Sequence, residues 1–160
     1  MTSGAELDQG WGLLADETEE QREKQMLERY GKVAALSEDE RRSRLLAMAK
    51  AEYALSDAKL RSFTMSRLRV WLKMELEIAK KVADSYDAVM FLMPGPAAMR
   101  RVAIVQTLAR GFSSKEQEQL RTLIPRVFAD RPIGSAVAPG PAAAPGPSIK
   151  KPWWAFWKRS

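Results

Sequence analysis

The chain has no cysteine and no histidine in its 160 residues. Zinc, haem and iron–sulfur centres therefore lack their usual ligands. Cysteine nucleophiles and histidine-based triads are excluded as well. Any catalysis would fall to Asp, Glu, Lys, Ser, Thr or Tyr. With no cysteine there is no disulfide framework to argue for secretion. No apolar run reaches the ~18 residues that a membrane-spanning helix needs. The stretch Met1 to Gly10 has neither the basic nor the apolar region of a signal peptide. Together these absences predict a non-enzymatic protein with no metal and no cofactor, placed in the cytoplasm.

Glycine and proline are missing from Glu38 to Met93. A period-two alternation of apolar and polar residues is missing throughout, so the expected fold is all-α. One unbroken helix over 38–93 would reach ~80 Å at 1.5 Å per residue. The sequence therefore predicts a long central helix or helical hairpin, with breaks near Ser56-Asp57 or Ser62–Ser66 as the alternative. Leu60, Phe63, Val70, Met74, Ile78, Val82, Tyr86, Val89 and Met93 recur at steps of mostly three or four, the mark of one buried face. Arg67 interrupts that stripe. Beyond Ala88 the chain is apolar all round, which predicts the deepest part of the core there.

Capping boxes are read at Asp16-x-x-Glu19, Ser37-x-x-Glu40 and Ser113-x-x-Glu116. No internal repeat is evident beyond this recurrence. The expected organisation is a flexible segment at 1–15, a loosely held acidic helix at 16–36 and a helical domain at 37–130. Within the last, Met93-Pro94-Gly95-Pro96 reads as a sharp turn. Two shorter helices should follow it, one from Ala97 to Arg110 and one from Ser113 to Ile124, with Pro125 ending or kinking the second. Ile78, Val82, Val89 and Leu92 should then pack on Val102, Val105, Leu120 and Leu123.

Residues 131–148 hold five of the nine prolines, Pro132, Pro139, Pro141, Pro145 and Pro147. Their spacing predicts a semi-rigid linker of at most ~55 Å. Residues 149–160 then carry Trp153, Trp154, Phe156 and Trp157, flanked by Lys150, Lys151, Lys158 and Arg159 with no acid among them. Residues 1–36, in contrast, hold eight acids against four bases. Indoles are favoured anchors in protein interfaces and at the membrane–water boundary. Each basic residue adds roughly 1 kcal/mol beside an anionic leaflet. These eight residues are the candidate docking site, for a partner protein or for an anionic membrane surface, with packing against the chain's own helices as the bland alternative.

Other constellations carry less. Arg41, Arg42, Arg44, Arg61, Arg67, Arg69 and Lys73 could meet phosphates, but Glu38, Asp39, Glu40, Glu75 and Glu77 dilute their field. The helix pair around Gly111 imitates a helix-turn-helix, yet its second helix places Glu116 and Glu118 where phosphate contacts would be wanted. Asp84 and Asp87 share a helix face, and Lys80 and Lys81 a turn away explain them as surface pairing. Met90, Met93 and Met99 read as core. The function these observations favour is a helical adaptor, assembly factor or accessory subunit that docks through its Trp-rich basic tail, peripheral at the inner face of the membrane if lipid is the target. The alternative is a small DNA-binding or regulatory protein, although nucleic acid is disfavoured as a partner. A homo-oligomer is left open.

Overall fold

The computed structural model describes residues 7–129. The expected linker and the eight candidate docking residues lie outside them. Every regular element among the described residues is helical, as expected. A 3-10 helix, Trp11–Asp16, is followed by α1 (Glu19–Ala34), α2 (Glu38–Glu52), α3 (Asp57–Lys73), α4 (Leu76–Met90), α5 (Gly95–Ala109), α6 (Ser114–Leu123) and α7 (Pro125–Ala129). The chain divides after Pro125, and α1 to α6 belong to the first unit.

Local chemistry sets the helix starts. Thr18, Ser37, Ser56 and Ser113 each accept the backbone N–H three residues on, at 3.2, 3.3, 3.4 and 3.2 Å. Such caps are worth about 1 kcal/mol each. At Ser113 the box is reciprocal, with Glu116 Oε1 accepting from the Ser113 N–H at 3.0 Å. Pro94 caps α5, and Pro96 sits in its first turn, where a missing N–H costs nothing.

The caps of the six helices fall at 18, 37, 56, 75, 94 and 113, a constant step of 19 residues. This is an internal repeat that the sequence reading missed. Its packing is equally regular: α1 lies on α3 and α3 on α5, while α2 lies on α4 and α4 on α6. Odd helices thus form one layer and even helices the other, the construction of a helical-repeat solenoid. The residue four after the cap is buried in α1 to α4, as Arg22, Arg41, Leu60 and Ala79. The residue eleven after the cap is buried in α2 to α5 and again at Ile124, just beyond α6, as Met48, Arg67, Tyr86, Val105 and Ile124. At fifteen the buried residues of α1 to α5 are Val33, Glu52, Trp71, Met90 and Ala109. A 19-residue step carries about the same helix face inward each time, which is what lets one packing rule serve every helix.

Several expectations are corrected. Residues 38–93 form three helices, not one long helix or hairpin arm. The break at Ser56 falls where expected, Ser62–Ser66 lies inside α3, and a second break comes at Met74-Glu75. That second break resets the helical phase, so Ile78, placed on the stripe, turns outward and is 38% exposed. The region past Ala88 is not the deepest core: Phe91 and Leu92 are 70% and 68% exposed, because α4 ends at Met90 and the chain turns. Val82 and Val89 are buried as expected, as are Val105, Leu120 and Leu123, whereas Val102 is half-buried. Met90 is core, but Met99 is exposed.

The segment expected to be flexible at 1–15 is packed from Leu7 onward, with Leu7, Trp11 and Leu14 buried. The acidic helix begins at Thr18 rather than Asp16 and is not loosely held. Met26, Tyr30 and Val33 are fully buried along one side of it.

Candidate functional site

All three of the buried repeat positions carry charge in some helix, as Arg22, Arg41, Arg67 and Glu52. Glu52 of α2 and Arg67 of α3 are 0% and 1% exposed and form an ion pair. Glu52 Oε1 also accepts from the Tyr86 hydroxyl of α4 at 2.8 Å, and its Oε2 accepts from the indole N–H of Trp11 at 2.8 Å. One carboxylate therefore joins the 3-10 helix, α2, α3 and α4. The Arg67 guanidinium lies 4.7 Å from the ring centre of Tyr86 and 5.7 Å from that of Trp71. Trp11, Tyr30, Trp71 and Tyr86 follow one another in edge-to-face contacts at 5.3 to 5.9 Å, and Phe63 joins Trp11 at 5.6 Å. Such pairs add about 0.5–1.5 kcal/mol each beyond their buried area.

Burial pushes the phenols of Tyr30 and Tyr86 well above their usual value, and the Glu52 carboxylate pushes the same way while Arg67 opposes it. Burial alone would favour the neutral form of Arg67; Glu52 together with Tyr86, Tyr53 and Tyr30 outweighs it and raises the guanidinium further. The two phenols are held neutral beside the Glu52–Arg67 ion pair. Its polar capacity is spent on joining helices.

Two further arginines act as paired clamps. Arg22 donates through Nε to Ser66 Oγ at 2.9 Å, and Arg41 does the same to Ser85 at 2.8 Å. Both spans are 44 residues, so the second contact is the first moved along by one repeat. Each guanidinium also caps the element before it. Arg22 reaches the carbonyls of Leu14, Ala15 and Glu17, and Arg41 those of Ala34 and Leu36. These are carbonyls that a helix end leaves without internal partners.

The bases considered for phosphate contact are thus dispersed. Arg41 and Arg67 are buried. Arg42 pairs with Glu38 and Arg44 with Asp8 and Glu40. Arg69 pairs with Glu19 and Glu23, and Lys73 with Glu23. Only Arg61 of that group stands on the surface without an ion pair among the described residues. Asp84 and Asp87 are also separated: Asp84 pairs with Lys80 at 2.9 Å and Asp87 with Arg101 at 2.5 Å. No cluster of metal-ligating side chains occurs among the described residues.

The outer face of α3 carries two shallow grooves of about 320 and 400 Å³ that meet at Met65. One is bounded by Arg22, Arg61 and Leu108, the other by Arg69, Leu72 and Phe112. Their walls mix both charges with half-exposed apolar groups, and no set of polar groups converges in either.

Lys150, Lys151, Trp153, Trp154, Phe156, Trp157, Lys158 and Arg159 fall outside the described residues. The structure brings together Trp11, Glu52, Arg67, Tyr86, Arg22 and Arg41, which sequence reasoning did not assemble. One signal was present: Arg67 on an apolar stripe needs a partner, and Glu52 is an acid inside the preceding helix. No helix among the described residues is long and apolar enough to cross a membrane. No protein-family model, no curated protein and no solved structure matches this chain.

Proposed function

We propose that this protein is a non-enzymatic helical adaptor or assembly factor that docks through Trp153, Trp154, Phe156 and Trp157 and their flanking bases. One observation carries the reading: three of the five tryptophans lie together beyond a Pro-rich stretch with four bases and no acid. The other two, Trp11 and Trp71, are each 1% exposed in an aromatic core that already closes on Tyr30, Phe63 and Tyr86. The helical body supports the reading as a repeat scaffold whose charged groups serve its own packing. The target is a partner protein or an anionic membrane surface. Four bases contribute roughly 4 kcal/mol beside an anionic leaflet, a reversible attachment.

The test compares the full chain with a chain ending at Ala129. Co-sedimentation with anionic vesicles that requires the tail, and falls as salt rises, supports a membrane target. Loss of one specific protein from affinity capture on removing the tail supports a protein target. If removing the tail changes neither vesicle binding nor partners, the proposal fails. The DNA-binding alternative predicts a steep fall of affinity for duplex DNA with salt.

A further inference from the structure

Helix α3 is the middle helix of the odd layer, packed on α1 at one side and on α5 at the other. Its outer face forms the floor of the two grooves that meet at Met65. Met65 and Leu72 are half-buried along that floor, and Leu108 and Phe112 are half-buried at the α5 side. Arg61 borders one groove and Lys73 the other. They lie about 18 Å apart along α3, at 1.5 Å of rise per residue. The two grooves together match about three turns of a docked helix.

Charge on the rim is biased to one sign. Arg22, Arg61, Arg69 and Lys73 line the grooves against Glu19 and Glu116. Both acids are engaged: Glu19 pairs with Arg69, and Glu116 accepts the Ser113 N–H as half of its capping box. Glu23, which pairs with Arg69 and Lys73, is only 13% exposed, while the side chains of those two cations are 42% and 64% exposed. Arg61 is exposed and has no ion pair among the described residues. What the grooves turn outward is an apolar floor set between cations.

We infer that these grooves are a docking site for an acidic amphipathic helix of another protein. Its apolar stripe lies on Met65, Leu72, Leu108 and Phe112, with one carboxylate on Arg61 and a second, about three turns on, at Lys73. Charge selects the occupant. Residues 131–160 of the chain itself hold five bases and no acid, so they bring the wrong sign to these cations. A second copy carries its acids most densely in α1, whose apolar side is already spent on burying Met26, Tyr30 and Val33. A neutral helix would cover Arg61 without replacing its water, a cost that a carboxylate removes. The site is on the helical body, so the inference does not depend on the docking function proposed for the tail.

The test is selection of peptides on the full chain from a display library of amphipathic helices, randomised at the apolar and the flanking positions. Recovered peptides should carry Asp or Glu at both ends of an apolar stripe. Fluorescence anisotropy of a recovered peptide should then show Arg61→Glu weakening its binding more than about tenfold. The same peptide with Lys in place of the acid facing Arg61 should recover affinity for that variant. Lys81→Glu, the same charge change on α4, should alter binding little, and circular dichroism of both variants should match wild type. A free peptide of residues 131–160 should not displace the recovered peptide. The inference is overturned if no peptide is recovered, if those recovered are not enriched in acids, or if Arg61→Glu acts no more strongly than Lys81→Glu. Displacement by the 131–160 peptide would make the chain's own tail the occupant and overturn it as well.

Discussion

Replacing Arg67 by Met should cost this protein a large part of its stability. The side chain is 1% exposed, and among the described residues it is the cation paired with Glu52, itself 0% exposed. Met fills similar space but leaves a buried carboxylate with only the Trp11 and Tyr86 donors. Breaking a buried pair by removing one partner costs about 3–5 kcal/mol. A domain's whole stability is about 5–15 kcal/mol. The double variant Glu52→Gln/Arg67→Met removes both charges. Its amide oxygen still accepts one of the two donors, so the remaining deficit is one unmet hydrogen bond, about 1–3 kcal/mol. Urea unfolding followed by circular dichroism should therefore rank wild type first, the double variant second and Arg67→Met last. The free energies should couple by at least about 1 kcal/mol. Additive single effects, or an Arg67→Met variant within about 1 kcal/mol of wild type, would refute the view that this pair holds four elements together.

Arg41→Met should strip Ser85 and the end of α1 of their donor and cost about 1–3 kcal/mol, whereas Arg61→Ala, on the surface, should stay within about 0.5 kcal/mol in the same urea assay. Trp11→Phe removes a donor from Glu52, while the Trp71 indole N–H meets no acceptor; Trp71→Phe should therefore be the milder change by melting temperature. Val89→Asp buries an unpaired charge and should cost several kcal/mol, but Leu92→Asp three residues on should cost little, since Leu92 is exposed. The phenols of Tyr30 and Tyr86 stand above their unfolded value of ~10, so the stability they lend is complete below that pH and is lost as pH climbs through their raised values. Tyrosinate absorbance from these two rings should thus appear together with alkaline unfolding; ionisation of both in the intact fold would contradict their burial.

Helix content was legible because caps and apolar spacing are local signals. Ser37, Ser113, Pro94 and Pro96 each mark a start through one side chain or one missing N–H. The break at Met74-Glu75 was hidden because Glu75 caps without a side-chain hydrogen bond and neither Gly nor Pro stands near it. Missing that break placed Ile78 inside, and missing the end of α4 at Met90 did the same for Leu92. The 19-residue repeat was hidden for a related reason. Its positions conserve burial and not chemistry: eleven after the cap stand Met48, Arg67, Tyr86 and Val105 in successive helices. A search for similar letters finds nothing where a search for similar faces finds a period. The charged core was only hinted at, by Arg67 on the apolar stripe, because nothing local pairs it with Glu52 until folding apposes the two. The same pair offers a reason for its own presence. Helices that share one inward face could pack one repeat out of register, and the buried Glu52–Arg67 ion pair favours the native register of α2 and α3.

The central claim is that the aromatic–basic tail serves docking and is not part of the core. Thermal unfolding of the full chain and of the Trp153→Ala/Trp154→Ala/Trp157→Ala variant, each in dilute solution without vesicles or partners, tests it most directly. Burying even one indole in the fold would be worth about 3–5 kcal/mol, and each kcal/mol moves the midpoint of a domain of this size by about 4 °C. The account predicts midpoints that agree within a degree or two. A midpoint lowered by ten degrees or more in the variant would show the tryptophans to be structural and would contradict it.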